Sequence, residues 1–253
     1  MFTINKLFYS PVKSLSFSSV NKLEILDNIG IKLDRNFAFT RNLDDNKINY
    51  ILNNPLKRQI INFLSLKHFP ELNEYNFDLE KEILILKKNN KIILQTNINI
   101  KSDVETLCDK ILLLIPKLER IKLIKDSKNP FFDTMPSNTI SLINLNSIKD
   151  FEKKISKNVE LERFRGNIYI NGLDAWEERN WINKTLEINN IKFKVIKEIP
   201  RCSATNIKPN SSKYNLSVPL LLKQFYNHIN LGIYILPLNN GNIKLNDEIL
   251  IND

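Results

Sequence analysis

Hydrophobic and polar positions alternate in short runs along much of the chain. The segments "FTINKLFY" (2–9) and "NFAFTR" (36–41) are rich in aromatic and β-branched residues and are bounded by turn residues, so each predicts a strand. Residues 82–96 and 185–197 each carry two apolar arms around an Asn-Asn pair, Asn89-Asn90 and Asn189-Asn190. Asparagine tolerates the positive φ angles of a tight turn, so both segments predict β-hairpins.

A period typical of helices replaces this alternation in three segments, 102–115, 144–155 and 217–225. The first begins with Ser102 and has Glu105 three residues later, which predicts a capping box. Strands outnumber helices and many neighbours are hairpins. The pattern therefore predicts an α+β, mainly β, fold with two β-barrel-like domains, largely antiparallel sheets and a few peripheral helices. A soft boundary near residue 124 divides it into an N-terminal domain, 1–124, and a C-terminal domain, 125–253.

Composition places the chain among ordinary soluble globular proteins. Its 253 residues are 42% hydrophobic and 26% charged. We find no secretory signal and no run of about 18 uncharged apolar residues that a membrane span needs, so we expect a cytoplasmic protein. The formal charge of +9 comes mostly from scattered lysines. Because basic runs with interleaved aromatics are missing, we read the charge as solvated surface and expect no nucleic-acid partner.

The two cysteines have different surroundings. Cys108 lies on the apolar face of the first predicted helix, where a thiol usually serves as core filler. Cys202 follows a predicted strand and stands between Arg201 and the hydroxyl of Ser203. A neighbouring guanidinium favours the thiolate, which is the form that attacks electrophiles and binds metals. The alternative is a buried turn cysteine beside a surface arginine, and the local residues leave the two interpretations about even.

Other candidate groups lie in loops next to predicted strands, where a rigid scaffold presents binding residues. Arginine suits planar anions and phosphates, while lysine acts as a point charge. An exposed cation without a role is the usual alternative for any one of them. Asp133 stands among aromatic residues and prolines that could desolvate it, which is a weak functional signal. The cationic and polar candidates are Lys13, Ser14, Arg35, Arg163, Arg165 and Asn167. The paired Trp176 and Trp181 are better explained as a plug at a barrel end than as a stacking platform.

Taken in order, several stretches resemble one family, the MOSC proteins. The similarity includes the N-terminal β-barrel extension found in the branch of the mitochondrial amidoxime-reducing component. The arginine–asparagine strand, the "DAW" turn and the "PRC" segment in fixed order are specific together, and the similarity covers almost the whole chain. The stretches are "FYSPVKSL", "LDRNFAFT", "FFDTMPSNTISLINLNSI", "RFRGNIYINGLDAWEERNWINKTLEI", "IPRCSATNI" and "GIYILPLNNGNIKLNDEILI".

The resemblance implies a molybdenum cofactor, Mo-molybdopterin, held between the two domains. Cys202 matches the cysteine whose thiolate binds the metal, in keeping with the preference of soft ligands for such centres. Asp133 matches an acidic position near the metal and is expected to assist catalysis. Residues matching cofactor contacts, together with the two neighbours of Cys202, are Lys13, Ser14, Arg35, Arg165, Asn167, Arg201 and Ser203.

The resemblance further implies an oxidoreductase that reduces small N-oxygenated compounds, such as hydroxylamines or amidoximes. Its electrons would come from separate donor proteins of the ferredoxin, flavin reductase or cytochrome b5 type. A carrier of the cofactor or of sulfur, without turnover, is the alternative, and pyridoxal phosphate binding is a further expectation. Two departures stand out: Gly166 replaces a frequent proline, and "IKPNSSKYN" after Cys202 lacks the family's usual acid and glycine.

Overall fold

The computed structural model describes residues 1–15, 17–131 and 138–252. The four helices of these residues are α1 (Asp45–Asn53), α2 (Lys101–Leu113), α3 (Leu145–Ile155) and α4 (Val218–Tyr226). The strands of the N-terminal half are β1 (Phe2–Tyr9), β2 (Ser18–Val20), β3 (Lys22–Leu26), β4 (Gly30–Ile31), β5 (Phe37–Phe39), β6 (Tyr75–Glu80), β7 (Ile83–Lys88), β8 (Lys91–Asn97) and β9 (Leu123–Lys125). Those of the C-terminal half are β10 (Ile140–Asn144), β11 (Ile168–Asn171), β12 (Thr185–Ile188), β13 (Ile191–Pro200), β14 (Asn230–Pro237), β15 (Gly241–Lys244) and β16 (Glu248–Asn252).

Seven of these strands form a closed barrel. Their order is β11-β10-β14-β13-β12-β16-β1, and β1 pairs again with β11 to complete the ring. The pairs are antiparallel except for β10 and β11, which run parallel and are connected through α3. The first strand of the chain thus closes a barrel built otherwise from residues after 139. A barrel of this size fills its interior with side chains, and here most of them are aliphatic.

The barrel core is formed by inward-facing residues of these strands, among them Ile4, Leu142, Ile168, Phe193 and Ile233, all fully buried. The alternation of buried and more exposed positions at the start of β13 matches its sequence, in which Lys192 and Lys194 alternate with the buried Phe193 and Val195. The hairpin between β12 and β13 turns at Asn189 and Asn190, with φ angles of 47° and 63°, as predicted.

A second core lies beside the barrel and is covered by the sheet β6-β7-β8, by α2 and by the short sheet β5-β9. It is built from residues such as Phe39, Phe77, Leu86, Leu107 and Ile111. The predicted Asn-Asn hairpin joins β7 to β8. The predicted capping box is wrong: α2 begins at Lys101, and no side chain caps its first turn.

The helices α3 and α4 pack on the outside of the barrel with the tryptophan segment. Trp181 belongs to the barrel core and contacts Phe2 with ring centroids 5.8 Å apart, as expected for a barrel plug. Trp176 instead lies outside the barrel, where its ring is 4.4 Å from Tyr226. None of the helices in the described ranges has the length and apolarity that a membrane crossing requires.

The predicted class, mainly β with largely antiparallel sheets and a few helices, is confirmed. The division into domains 1–124 and 125–253 stays a prediction. Two N-terminal elements nevertheless pair with C-terminal ones, since β1 pairs with β11 and β16, and β3 pairs with β15. Sequence proximity alone gives no information on such long-range pairs.

Candidate functional site

Three segments of the chain pass from the barrel core to the second core, and each carries a candidate residue at the crossing. In the first segment, Leu7 lies in the barrel core and Val12 in the second core, and Lys13 and Ser14 follow. The next two segments are arranged in the same way. Arg35 lies between Ile31 and Phe37, and Cys202 lies between Val195 and Ile207. The candidate site is therefore built where the two cores meet.

Main-chain hydrogen bonds hold the first two crossings together. The amide of Arg35 donates to the carbonyl of Ser10 at 2.7 Å, and that of Lys13 donates to the carbonyl of Phe37 at 2.8 Å. Phe37 in turn donates to Pro11 at 2.9 Å. Lys13 and Arg35 therefore share one rigid piece of backbone, although they are far apart in the sequence.

The thiol of Cys202 is exposed and lines a cavity of about 310 Å³, which we call the cysteine cavity. Cys202 precedes a short 3₁₀ turn, Ser203–Asn206, in which the hydroxyl of Thr205 donates to the carbonyl of Cys202 at 2.8 Å. This turn fixes the backbone behind the thiol and leaves the side chain facing the cavity. The local alternative of a buried turn cysteine is therefore wrong.

Arg35 and Arg165 also line the cysteine cavity, and both are stacked on Phe17. The guanidinium carbons of Arg35 and Arg165 lie 4.7 and 4.6 Å from the centroid of the Phe17 ring. Arg165 also donates from Nη1 to the carbonyl of Leu15 at 2.9 Å. Both arginines adopt positive φ angles, 53° and 52°, which an L-residue adopts only where the surroundings enforce it. Their side chains are thus held side by side.

The electrostatics of this pair favour an anionic ligand. Burial, together with the nearby charge of Arg35, lowers the pKa of Arg165 to about 9, although the charges of Asp34 and Cys202 act in the opposite direction. A negative group placed here would relieve the repulsion between the two cations.

Lys13 and Ser14 lie behind this cationic pair. Lys13 is almost fully buried, with its Nζ 6.0 Å from the centroid of the Phe63 ring. Burial lowers its pKa well below the usual value, and the nearby Arg35 and Arg165 lower it further. Ser14, also buried, lines the cysteine cavity, whereas Lys13 does not. Lys13 therefore lies close to both arginines but outside the lining of the cavity.

Asp34 and Asn167 connect the two halves of the site from inside. Asp34 is buried, accepts a hydrogen bond from the amide of Ser10 at 2.8 Å and contacts Nη1 of Arg35. The side-chain amide of Asn167 donates to the carbonyl of Phe8 at 3.2 Å, and its oxygen accepts from the Ser141 hydroxyl at 2.7 Å. Both polar ends of Asn167 are thus engaged within the protein, although the residue lines the cavity.

The side chain of Arg201 is directed into the protein, whereas the alternative interpretation from the sequence placed Arg201 at the surface. It is 7% exposed, donates from Nη1 to the carbonyl of Phe164 at 2.9 Å and also donates to the carbonyl of Leu231. Gly232, with φ of 80°, lies close to this arginine, since a Cβ there would be 3.2 Å from Nη2 of Arg201 and only 2.6 Å from the carbonyl oxygen of Leu142. The geometry therefore gives Arg201 a structural function, and cofactor contact by Arg201 stays a prediction.

Arg163 is likewise buried and paired with Glu160 at 2.6 Å. It donates to the carbonyl of Thr205 at 2.7 Å and so supports the turn that follows Cys202. The expectation of an exposed loop cation is wrong for Arg163, because its guanidinium serves as a link between two loops.

Position 166 is glycine, where the family that the chain resembles often has proline. The structure gives a physical reason for the glycine. A Cβ there would lie 2.6 Å from Cδ1 of Ile143 and 3.0 Å from Cζ of Tyr169. The amide of Gly166 also donates to the Tyr169 hydroxyl at 3.1 Å, a bond that proline cannot form. Tyr169 therefore occupies the space that a proline ring would need.

Among the described candidate residues, Lys13 and Ser203 do not line the cavity. Ser203 is adjacent to Cys202 but half-buried in the 3₁₀ turn. Asp133 lies outside the described residues, so its predicted part in catalysis stays a prediction. Sequence reasoning missed Phe17 and Asp34, and it also missed the cavity-lining Thr139, Ser141, Lys197 and Tyr234. The acid before Arg35 was visible in the sequence, but nothing in it marked Phe17 as the ring between two arginines.

Comparison with known proteins identifies the class. The family model of the MOSC domain matches residues 132–250 of this chain. The molybdenum cofactor sulfurase of Caenorhabditis briggsae is 24% identical over 254 residues, which cover 92% of this chain and 33% of that protein. Mitochondrial amidoxime reducing component 2 of Macaca fascicularis is 35% identical over 74 residues, covering 29% of this chain and 22% of that protein.

The chain thus spans about a third of the length of the sulfurase and a smaller part of the amidoxime reducing component, 33% and 22%. A solved structure, the YUAD protein from Bacillus subtilis, superposes with a TM-score of 0.45 at 11% identity and covers 99% of this chain and 96% of that one. The resemblance to the MOSC family stated from the sequence is confirmed by the domain match. The pyridoxal phosphate and cytoplasmic expectations stay predictions.

Proposed function

We propose that this protein binds a molybdenum cofactor in the cysteine cavity and uses it to reduce N-oxygenated compounds. The observation that carries the proposal is the position of Cys202. Its exposed thiol opens into a cavity that also presents Arg35 and Arg165, and the residues belong to a chain with a MOSC domain. A thiolate ligand and a cationic wall in one cavity suit a metal held by an anionic organic group.

The residues present fit such a cofactor. A soft thiolate suits molybdenum, and Cys202 offers it without having to leave a packed core. A phosphate of the pterin suits the fork-shaped donors of Arg35 and Arg165. Their side chains are already stacked on Phe17, so little side-chain entropy is lost when an anion binds. The charged form of Lys13, which is buried close to both arginines, would be stabilised by the phosphate.

The bound cofactor supplies the two-electron chemistry at the metal. Reduction of an N-hydroxylated compound consumes two electrons and two protons, breaks the N–O bond and yields the reduced nitrogen compound and water. The electrons come from a separate donor protein. In this scheme Cys202 fixes one metal position, Arg35 and Arg165 orient the cofactor, and Asp133 is the proposed proton donor.

The walls of the cavity favour a small polar substrate. Apolar side chains from Leu66, Phe164 and Ile199 line the interior, and the half-buried Tyr234 adds a hydroxyl. Exposed Lys67 and Lys197 also contribute to the lining.

A carrier of the cofactor or of sulfur is the second candidate, and one observation favours it. The similarity to the molybdenum cofactor sulfurase extends over 92% of this chain, whereas the similarity to amidoxime reducing component 2 covers 29%. A carrier would use the same thiol and the same cationic wall but would not turn over an N-oxygenated substrate.

The two candidates are separated by a turnover assay. The protein is expressed in a host that makes the cofactor, loaded protein is purified, and benzamidoxime is supplied with an artificial low-potential electron donor. The proposal expects benzamidine to accumulate over many turnovers per molybdenum. Cofactor-loaded protein that forms less than one benzamidine per molybdenum would exclude the reductase and leave the carrier.

A further inference from the structure

A second cavity is lined by the two residues that follow Arg35 in the sequence, Asn36 and Phe37, and we call it the Asn36 cavity. Its other walls come from the end of the hairpin β3-β4, from the turn between β6 and β7 and from the loop after β9. The volume is about 310 Å³, at the lower end of the range of small-molecule sites. In the described part of the chain, no residue lines both this cavity and the cysteine cavity, so the two are separate spaces.

The walls of the Asn36 cavity are mainly apolar. Leu26, Ile29 and Leu33 reach it from the segment around β4, and they belong to neither of the two cores. Leu79 and Ile98 reach it from the edge of the second core, where both are half-buried. An apolar ligand body would remove surface of these side chains from water, which favours binding.

Asn36 supplies a polar group at the buried end of the cavity. It is 3% exposed, and its side-chain oxygen accepts no hydrogen bond from any residue that the structure describes. Its backbone is fixed, because its carbonyl accepts from the amide of Asp126 at 2.9 Å. An unpaired polar group in the interior destabilises the fold, so a ligand that pairs with it gains affinity. A hydroxyl both donates and accepts, and it therefore suits this side-chain amide in either orientation.

The other end of the cavity is cationic. Lys81, in the turn between β6 and β7, and Lys125, at the end of β9, are exposed and line the cavity. A third lysine, Lys32, is already paired with Glu24 at 2.8 Å, whereas no ion pair of Lys81 or Lys125 occurs within the described ranges. Glu82 is the one carboxylate among the described lining residues. The net charge at this end is thus positive and suits a carboxylate group of a ligand.

We propose that the Asn36 cavity binds a small amphipathic anion, an apolar ring that carries a hydroxyl at one end and a carboxylate at the other. The ring lies between the leucine and isoleucine side chains, the hydroxyl pairs with Asn36, and the carboxylate faces Lys81 and Lys125. The site is separate from the cysteine cavity, so this proposal does not depend on the proposed function. Because Asn36 follows Arg35 directly, the ligand contacts the segment of chain that presents Arg35 to the cysteine cavity.

Calorimetric titration of the cofactor-free protein with related probes tests the proposal. The probes are para-hydroxybenzoate, benzoate, which lacks the hydroxyl, and para-hydroxybenzamide, which lacks the charge. We expect the hydroxyl to strengthen binding about tenfold, because it pairs with a buried amide. Loss of the carboxylate should weaken binding about threefold at low salt, and added salt should reduce this difference. Equal affinities for para-hydroxybenzoate and benzoate would contradict the pairing with Asn36, and failure of all three probes to bind would overturn the proposal.

Two variants locate the probe in this cavity. Asn36→Leu keeps much of the side-chain volume but removes the amide, so para-hydroxybenzoate and benzoate should bind to it with the same affinity. Ser127 is exposed in the loop after β9 and lines the cavity, so Ser127→Trp fills it and should weaken binding about tenfold or more. Ser102→Trp, at an exposed position of α2, is the control and should bind as wild type. Equal affinities of Ser127→Trp and Ser102→Trp would contradict the proposed site.

A matched pair of lysine variants separates this site from the cysteine cavity. Lys125 lines the Asn36 cavity and Lys67 lines the cysteine cavity, and both are exposed. We expect Lys125→Gln to weaken binding of para-hydroxybenzoate about threefold and Lys67→Gln to leave it unchanged. The reverse result would place the probe in the cysteine cavity and overturn the proposal, while the molybdenum content of the protein would stay a separate question.

Discussion

The guanidinium carbon of Arg165 lies 4.6 Å from the centroid of the Phe17 ring, and Arg35 stacks on the same ring at 4.7 Å. One residue comes from the C-terminal half and the other two from the N-terminal half. An aromatic ring therefore holds two like charges together in a position where they would otherwise repel each other. Each contact of this kind is worth about 0.5–2 kcal/mol, depending on how far it is desolvated.

The stack predicts that Phe17→Leu weakens cofactor retention. Leucine keeps an apolar contact but has no π face, so Arg35 and Arg165 lose their common support and must be ordered by the ligand. We expect about a tenfold loss of bound pterin after dialysis, measured by fluorescence of its oxidised form. Phe225→Leu, at an exposed position of α4, should behave as wild type. Unchanged retention in Phe17→Leu would show that the stack has no part in binding.

The burial of Lys13 predicts that this residue lowers the stability of the cofactor-free protein but strengthens cofactor binding. Its pKa is lowered chiefly by burial, so the charged form destabilises the cofactor-free fold. Lys13→Met should raise the free energy of unfolding at neutral pH, because the uncharged methionine has no charge to desolvate on folding. The gain should shrink as the pH rises toward about 10.4, where the lysine of the unfolded chain also loses its charge.

Urea unfolding of the cofactor-free protein at several pH values measures this gain, with Lys6→Met as the control. Lys6 is exposed on β1 and should give almost no change. The same Lys13→Met variant should retain less pterin than wild type. A Lys13→Met protein that is less stable than wild type at neutral pH would contradict this account of the buried lysine.

The buried hydrogen bonds of Arg201 predict that this residue stabilises the fold. Arg201→Met preserves much of the side-chain volume but leaves the carbonyls of Phe164 and Leu231 without their donors. Buried carbonyls that lose charged donors cost about 2–4 kcal/mol together. Chemical denaturation should show this loss in cofactor-free protein, and Lys197→Met, at an exposed cavity position, should stay within about 0.5 kcal/mol of wild type. Equal stability of the two variants would argue against the structural function of Arg201.

Glu178 lies away from the cysteine cavity. Its burial predicts that the stability of the protein depends on pH. It is fully buried and accepts hydrogen bonds from Asn144 at 3.0 Å and from the Ser147 hydroxyl at 2.8 Å. Burial raises its pKa, against the lowering by these hydrogen bonds. The folded protein therefore holds this proton more tightly than the unfolded chain does, and stability is lost as the pH rises from about 4.3 through the raised pKa.

Glu178→Gln removes this titration but keeps the shape, because the Ser147 hydroxyl can turn to accept from the new amide. We expect the free energy of unfolding of wild type to fall, relative to Glu178→Gln, between pH 4 and pH 8. Parallel stability profiles for the two proteins over this range would mean that Glu178 titrates normally.

Local patterns in the sequence predicted the elements that depend on local chemistry. Asn89-Asn90 and Asn189-Asn190 form tight turns because asparagine tolerates positive φ, and the periods of α3 and α4 correspond to their buried faces. The capping box failed because Ile100 ends the preceding turn, so the helix starts before Ser102 can cap it. A capping pattern gives no information on where the preceding chain enters the helix.

The sequence predicted which residues belong to the candidate site, but only partly how these residues are arranged. Cys202, Arg35 and Arg165 could be proposed from local residues and the family resemblance, and all three line one cavity. The inward direction of Arg201 was not predictable, because it depends on carbonyls of Phe164 and Leu231 from other segments. Long-range packing decides the direction of a side chain such as that of Arg201.

The most direct test of the account is the molybdenum content of wild type and of Cys202→Ser, expressed together in a cofactor-competent host. A serine hydroxyl is a poorer ligand for a soft metal, so we predict about one molybdenum per wild-type chain and at least a tenfold lower content in Cys202→Ser. Cys108→Ser, at the buried cysteine of α2, is the control and should keep its metal. Equal molybdenum in Cys202→Ser and wild type would contradict the central claim that this thiol holds the metal.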